Sequence, residues 1–168
     1  MFQNISGSAM NLPERKPTRL KDFDYSQNGA YFVTVCTDKK QKLLCSIVGE
    51  GLCALPQVLL TDIGKEIEKS VLYVNMHYKN ISVSKYAIMP NHLHMIIIID
   101  SRTGGDGTPP LHRIVAAIKS YTTNVYGKKL WQRSFHDHII RDDADYLKIW
   151  NYIDTNPAKW KEDCFYTD

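Results

Sequence analysis

The segment His92-Leu93-His94-Met95-Ile96-Ile97-Ile98-Ile99 constrains the fold of this chain more than any other. Four consecutive isoleucines show neither helical spacing nor alternation, and such a run suits a strand buried on both faces. Two histidines two residues apart open that strand. Side chains two apart on a strand project from the same face, so both imidazoles point together while Leu93 points into the core. Polar groups set this close to so apolar a run cost stability unless they are satisfied or used. Pro90-Asn91 just before them is a turn signal, which places the pair at a strand edge.

The elements around this strand follow from local pattern. Tyr31 to Cys36, β-branched and aromatic behind Gly29, reads as a first strand, and Ile81 to Ala87 as another. Leu44 to Val48 and Leu52 to Leu55 flank Gly49-Glu50-Gly51 as a hairpin. Thr61 caps a helix to about Tyr78, with Ile63, Ile67, Val71 and Val74 or Asn75 on one stripe. Ser101 to Pro110 is the clearest loop. Ile114, Ile118, Tyr121 and Val125 then keep helical spacing up to Gly127. A short strand covers Ser134 to Arg141. Asp142 or Asp143 caps a last helix through about Thr155, stopped by Asn156-Pro157 because proline disfavours a helical residue before it. The expected architecture is α+β: a ferredoxin-like sandwich with helices packed on one mostly antiparallel sheet.

With 168 residues, 43% hydrophobic and 23% charged, the chain supports one packed domain. The expected boundaries are 19–168, behind a disordered or extended segment 1–18. The longest apolar candidate, Ala87 to Ile99, is broken by Pro90, Asn91, His92 and His94 and falls short of a membrane span. The start of the chain lacks the apolar region of a secretory signal, so the cytoplasm is the expected compartment. Cys36, Cys45, Cys53 and Cys164 form no C-x-x-C and read as reduced, mostly buried thiols. The net charge is only +3. Its distribution is uneven: Arg113 to Lys161 carries nine Lys/Arg against five Asp/Glu, whereas Asp38 to Lys69 has five of each. A bound polyanion belongs on the C-terminal third.

The last helix carries a second chemical signal. Tyr146, Ile149, Trp150 and Ile153 form its core stripe, and Tyr152 and Asn156 fall together on the shoulder beside it. A shoulder lies at the boundary of core and solvent, where a helix on a sheet leaves a groove. An attacking hydroxyl and a liganding amide need that position.

Three blocks together resemble a known family: Tyr86-Ala87-Ile88-Met89-Pro90-Asn91-His92-Leu93-His94-Met95-Ile96, then Leu130 to Arg141, then Tyr152-Ile153-Asp154-Thr155-Asn156-Pro157. They are similar to the single-tyrosine HUH transposases, and within them to the REP-associated tyrosine transposases. Arg19-Leu20-Lys21 and Gly29 to Thr34 extend the resemblance to nearly the whole chain. It implies the HUH endonuclease fold acting on single-stranded or hairpin DNA, with His92 and His94 as the pair that holds a divalent metal, Mg²⁺ or Mn²⁺. Tyr152 matches the nucleophile and Asn156 the side chain that completes the metal site. Many insertion-sequence relatives have Gln at that place, and His136 stands where an aromatic residue is common. His138 and Arg141 match positions often filled the same way. The resemblance also leaves two assemblies open, monomer or homodimer.

The chemistry of the residues agrees with these roles. Breaking a phosphodiester requires neutralising charge on the phosphate oxygens and aligning an in-line attacker, and a divalent metal serves both. A phenol with an ordinary pKa of about 10 is a weak nucleophile until it is deprotonated. A 5′-phosphotyrosine retains the energy for rejoining, and no ATP-binding motif is present. Imidazole ligands by themselves favour Zn²⁺ over Mg²⁺. DNA contacts are expected from Arg113, Lys119, Arg133, His138 and Arg141, with Trp131 or Phe135 stacking on unpaired bases and the Gly104 to Gly107 loop as a strand guide. Two other readings stand beside this one. One is a hairpin DNA or RNA binder that does not cleave; the other is a metal-dependent phosphodiesterase that uses water.

Overall fold

In chain order the elements are β1 (Gly29–Cys36), β2 (Cys45–Val48), β3 (Gln57–Leu60), α1 (Asp62–His77), β4 (Ile81–Met89), β5 (His92–Ile99), α2 (Leu111–Tyr126), β6 (His136–Ile140) and α3 (Asp143–Thr155). A 3-10 helix over Asn156–Glu162 follows α3 directly. The computed structural model describes residues 24–25, 27–49, 56–100 and 108–166. The expected segment 1–18, Arg19 to Lys21, Leu52 to Leu55 with Cys53, and the Gly104 to Gly107 loop lie outside the described residues.

Four strands form one sheet in the order β4-β5-β1-β6, every neighbouring pair antiparallel. This is the expected ferredoxin-like arrangement, with β2 and β3 paired separately as a ribbon. On one face, Tyr31, Val33, Val35, Leu93, Met95, Ile97 and Ile99 pack against Ile67, Val71 and Val74 of α1 and Ile114, Val115 and Ile118 of α2. On the other, Ile96, Phe32, Ile98 and Ile140 pack against Ile149 and Ile153 of α3. The isoleucine run is therefore covered from both sides, each fully buried side chain contributing about 1.5–3 kcal/mol. A bulge between Val83 and Lys85 shifts the register of β4, and Ser84 there accepts a hydrogen bond from the Tyr146 hydroxyl of α3 at 3.1 Å.

Local chemistry fixes the helix ends. The Thr61 hydroxyl accepts from the Gly64 amide at 3.1 Å and caps α1. Gly64 is required there, since a Cβ would lie 2.1 Å from the Leu44 carbonyl oxygen. Gly127 closes α2 in the left-handed region at φ 74°, its amide bonded to the Thr123 carbonyl. Asp142 caps α3 by accepting from the Asp145 amide at 2.8 Å.

β2 pairs with Gln57–Leu60 in register Cys45↔Leu60 to Val48↔Gln57, which brings β3 directly into the Thr61 cap. Two expectations need correction. On α2 the buried row runs Ile114, Ile118, Thr122 at i+4 spacing, so Tyr121 (46% exposed) and Val125 (50%) rotate outward. Thr122 is inside because its hydroxyl accepts the Trp131 indole N–H at 2.8 Å. Trp131 and Phe135 belong to the core and are not free to stack on bases. The last α-helix ends at Thr155, as Asn156-Pro157 led one to expect, and the chain then winds on as a 3-10 helix. Asn156 stays right-handed helical (φ −57°, ψ −43°) and Pro157 sits at the opening of the 3-10 helix, where its missing N–H costs nothing.

Among the cysteines, Cys36 and Cys45 are buried free thiols, pushed up by burial to about 11 and about 12, while Cys164 is exposed. Among the described residues no helix is long and apolar enough to cross a membrane.

Candidate metal centre and nucleophile

The register of β5 sets His94 between Thr34 of β1 and Ala87 of β4, and His92 between Cys36 and Met89. Both imidazoles project on the α3 face, fully buried, with their Nε2 atoms 2.9 Å apart. The other ring nitrogens are held by neighbours. His92 Nδ1 lies 2.8 Å from the Asn91 side-chain oxygen, and the same amide donates to the Phe165 carbonyl at 2.9 Å. That orientation makes Nδ1 of His92 the protonated nitrogen and leaves Nε2 with a bare lone pair. His94 Nδ1 is 2.8 Å from the Thr34 hydroxyl. Burial and the neighbouring His94 pull His92 down to about 3, and burial pulls His94 down as well. Both rings are thus neutral near pH 7, the form that ligates a metal.

From the other side come α3 and the segment after it. Tyr152, 38% exposed, places its hydroxyl 3.4 Å from His94 Nε2 and donates to Asp163 Oδ2 at 3.1 Å. Asn156, 3% exposed, donates its Nδ2 to the same carboxylate oxygen at 2.6 Å. Oδ2 of Asp163 is 4.0 Å from His92 Nε2 and 3.9 Å from His94 Nε2. The second oxygen of Asp163 accepts the Phe165 amide at 2.6 Å. Burial alone would raise this carboxyl, but the neighbouring His94 ring and the hydrogen bonds from the Phe165 amide and Asn156 hold it well below the usual carboxylate range. Burial and the Asp163 charge push the Tyr152 phenol well above 10, with the Asn156 amide opposing.

The donor set fits a divalent cation. His92, His94 and Asp163 each offer a ligand atom within 4.8 Å of the others. The carbonyl oxygen of Asn156 is buried beside them with no hydrogen-bond partner. The bare Nε2 of His92, the Nε2 of His94 beside it and the Asp163 carboxylate converge on one point, a donor set that suits a positive charge. The orphaned amide oxygen of Asn156 is a spare acceptor on α3's end of the site.

Of the expected site residues, His92, His94, Tyr152 and Asn156 meet in one place. The basic residues are spread out. Arg113 is exposed on α2, the helix layer across the sheet from Tyr152. The Lys119 ammonium donates to the carbonyls of Gln132 and Arg133 at 2.7 and 2.9 Å. Arg133 and Arg141 are exposed. His138 is exposed and pairs with Asp145 at 2.7 Å.

Sequence reasoning missed Asp163, the carboxylate at the centre, and Asn91 and Thr34, which set the rings. Asn91 and Thr34 were within reach, as the residue before the pair and its antiparallel partner. Asp163 had no local signal, because its approach depends on the 3-10 helix turning the chain back after Pro157. Phe165 also packs here, its ring centroid 4.9 Å from His92 and 5.9 Å from His94.

No protein-family model matches the chain. A solved REP-associated tyrosine transposase bound to a REP hairpin superposes with a TM-score of 0.61 at 21% identity, covering 87% of this chain and 74% of that one. The fold is accordingly that of an HUH transposase. In sequence, the chain is 31% identical to an uncharacterized protein of Haemophilus influenzae, over 94% of its own length and 96% of the other's. It is 24% identical to the "Putative REP-associated tyrosine transposase" of the same organism, over 81% of this chain and 74% of that protein. The chain belongs to one family with the 31%-identical Haemophilus protein, and the REP-associated tyrosine transposases are its relatives in sequence and in fold.

Proposed function

We propose that this protein is a DNA strand transferase that nicks and rejoins single-stranded or hairpin DNA through a 5′-phosphotyrosine on Tyr152. One observation carries the reading: the Tyr152 hydroxyl lies 3.4 Å from His94 Nε2 and 3.1 Å from Asp163 Oδ2, beside two neutral imidazoles and the amide of Asn156. A nucleophile and a ligand set are thereby within one residue's reach of each other, on a single chain. The site needs no second subunit to complete it, which favours a monomer with its active site in cis.

His92, His94, Asp163 and the Asn156 carbonyl oxygen would hold a divalent cation, Mg²⁺ or Mn²⁺. Such an ion supplies charge against the developing phosphate oxyanion and offsets the carboxylate that now retains the phenol proton. The protein's own residues do the rest. Tyr152 is 38% exposed, so once the Asp163 charge is offset its phenol can give up the proton to solvent, and the phenolate oxygen attacks the phosphorus in line. The P–O bond to the 3′ oxygen breaks and that oxygen takes a proton from solvent, leaving a free 3′-hydroxyl and DNA joined to the enzyme. Attack by a 3′-hydroxyl on that phosphotyrosine reverses the sequence and returns the proton to Tyr152. Phe32 packs edge-on against the Tyr152 ring, with centroids 6.0 Å apart, and helps to fix its direction. Arg133, His138 and Arg141 contribute phosphate contacts on this reading, Arg113 and Lys119 more distant ones, and the substrate places the protein in the cytoplasm.

A labelled hairpin oligonucleotide incubated with Mn²⁺ tests the reading. A covalent adduct that survives denaturant is expected from the wild type and not from Tyr152→Phe. An adduct that persists in the variant, or multiple-turnover hydrolysis without any adduct, excludes it.

A further inference from the structure

We propose that Lys39, Lys40 and Lys42 form a phosphate-binding rim for the unpaired strand entering the Tyr152 site, with Phe165 and Tyr166 as the faces on which its bases stack; this rests on the strand-transfer reading above. The stretch Asp38 to Lys69 is neutral by count, yet its charges are segregated in space. Asp62 and Glu66 are taken by Lys65 and Lys69 along α1. Glu68 accepts the Tyr86 hydroxyl. Asp38 is neutralised by Lys129 at 2.7 Å. Among the described residues no carboxylate pairs with Lys39, Lys40 or Lys42, three lysines within four positions of one turn.

Their position is fixed relative to the site. β1 carries Thr34 beside His94 and Cys36 beside His92, and the lysine turn is its direct continuation. Thr37 binds the Asn91 carbonyl through its amide at 2.9 Å and its hydroxyl at 3.0 Å, so the turn is tied to the residue that orients His92. Lys39 and Lys40 have positive φ, 53° and 55°. Glycine or asparagine relieves that conformation, and lysine does not. The Lys40 ammonium lies 5.5 Å from the Phe165 ring centroid and Lys42 5.2 Å from that of Tyr166. Alternating ammonium groups and aromatic faces are how proteins hold single strands without reading their sequence: the cations take phosphates and the rings take bases.

The test compares a blunt hairpin oligonucleotide with the same hairpin bearing single-stranded extensions, in EDTA, by fluorescence anisotropy from 50 to 200 mM salt. Three lost phosphate contacts on a single strand reduce the slope of log affinity against log salt by about 2. The expected result is that loss in K39Q/K40Q/K42Q on the extended oligonucleotide, little change on the blunt one, and recovery of the slope in K39R/K40R/K42R. An unchanged slope, an equal loss on both oligonucleotides, or a loss that arginine does not restore overturns the proposal. The adduct assay separates the two readings. A wild-type adduct with an unaltered slope removes the rim and leaves strand transfer, whereas a lysine-dependent slope without any adduct does the opposite.

Discussion

The Tyr152 hydroxyl donates to Oδ2 of Asp163 at 3.1 Å, and that one oxygen also receives the Asn156 amide at 2.6 Å and faces both imidazole Nε2 atoms at about 4 Å. The proposed nucleophile and the ligand set therefore share a single carboxylate. Burial and this charge hold the phenol proton on. Asp163→Asn removes the second cause, so the Tyr152 titration is expected to move down toward its ordinary value. Ultraviolet difference titration against the matched Tyr152→Phe protein reads it, and an unmoved titration would show that Asp163 does not control the phenol. The same change is expected to weaken Mn²⁺ binding at least tenfold, measured by calorimetry.

Asn91 and Thr34 touch no substrate in this arrangement and act through the rings. With Nδ1 held by an outer partner, each imidazole keeps its orientation, and His92 its tautomer as well. Asn91→Ala and Thr34→Val are expected to weaken Mn²⁺ binding by roughly 10- to 100-fold, with hairpin affinity in EDTA unchanged. Equal losses in both measurements would assign these residues to general stability instead.

Acid should destabilise the metal-free protein. His92 has a folded value of about 3 against an unfolded 6.5, so between these the unfolded chain takes up a proton that the folded chain refuses. Stability then falls as pH drops from about 6.5, by up to about 1.4 kcal/mol per pH unit from this group. The lowered Asp163 carboxyl acts in the same direction further into acid, its contribution present above the unfolded value of 3.8 and lost as pH falls through the lower folded one. Thermal midpoints in EDTA are expected to fall steadily from pH 7 to pH 4, with a flatter profile in His92→Gln. Identical profiles for the two proteins would count against the buried neutral imidazole.

Gly64 offers a check on the fold away from the site. A Cβ there would lie 2.1 Å from the Leu44 carbonyl oxygen, a backbone atom that cannot swing aside. Gly64→Ala is expected to cost roughly 3 kcal/mol or more, read by urea denaturation. A cost below 1 kcal/mol would mean that β2 and α1 are not locked together at this contact.

Much of this was legible in the sequence because it is periodic. Period two put His92 and His94 on one face with Leu93 opposite, and helical spacing put Tyr152 and Asn156 beside the Ile149 and Ile153 stripe; both are local rules that the tertiary structure obeys. What could not be read depends on non-local partners. Thr122 displaces Tyr121 from the buried row because an indole nine residues later needs an acceptor. The lysine turn reads as neutral until its acids are seen paired elsewhere. Asp163 becomes a site residue only because Asn156, ahead of a proline, keeps helical dihedrals and redirects the chain toward the sheet.

β5 is bonded along its length to β4 on one side and β1 on the other through backbone hydrogen bonds, whereas α3 meets the sheet through side chains alone, among them Ile149 and Ile153, Tyr146 on Ser84 and Tyr152 on Phe32. The two halves of the centre thus differ in stiffness. The imidazoles form a fixed anvil, and any travel needed to bring the phenol into line with a phosphorus atom, or to withdraw it after joining, falls to the helix.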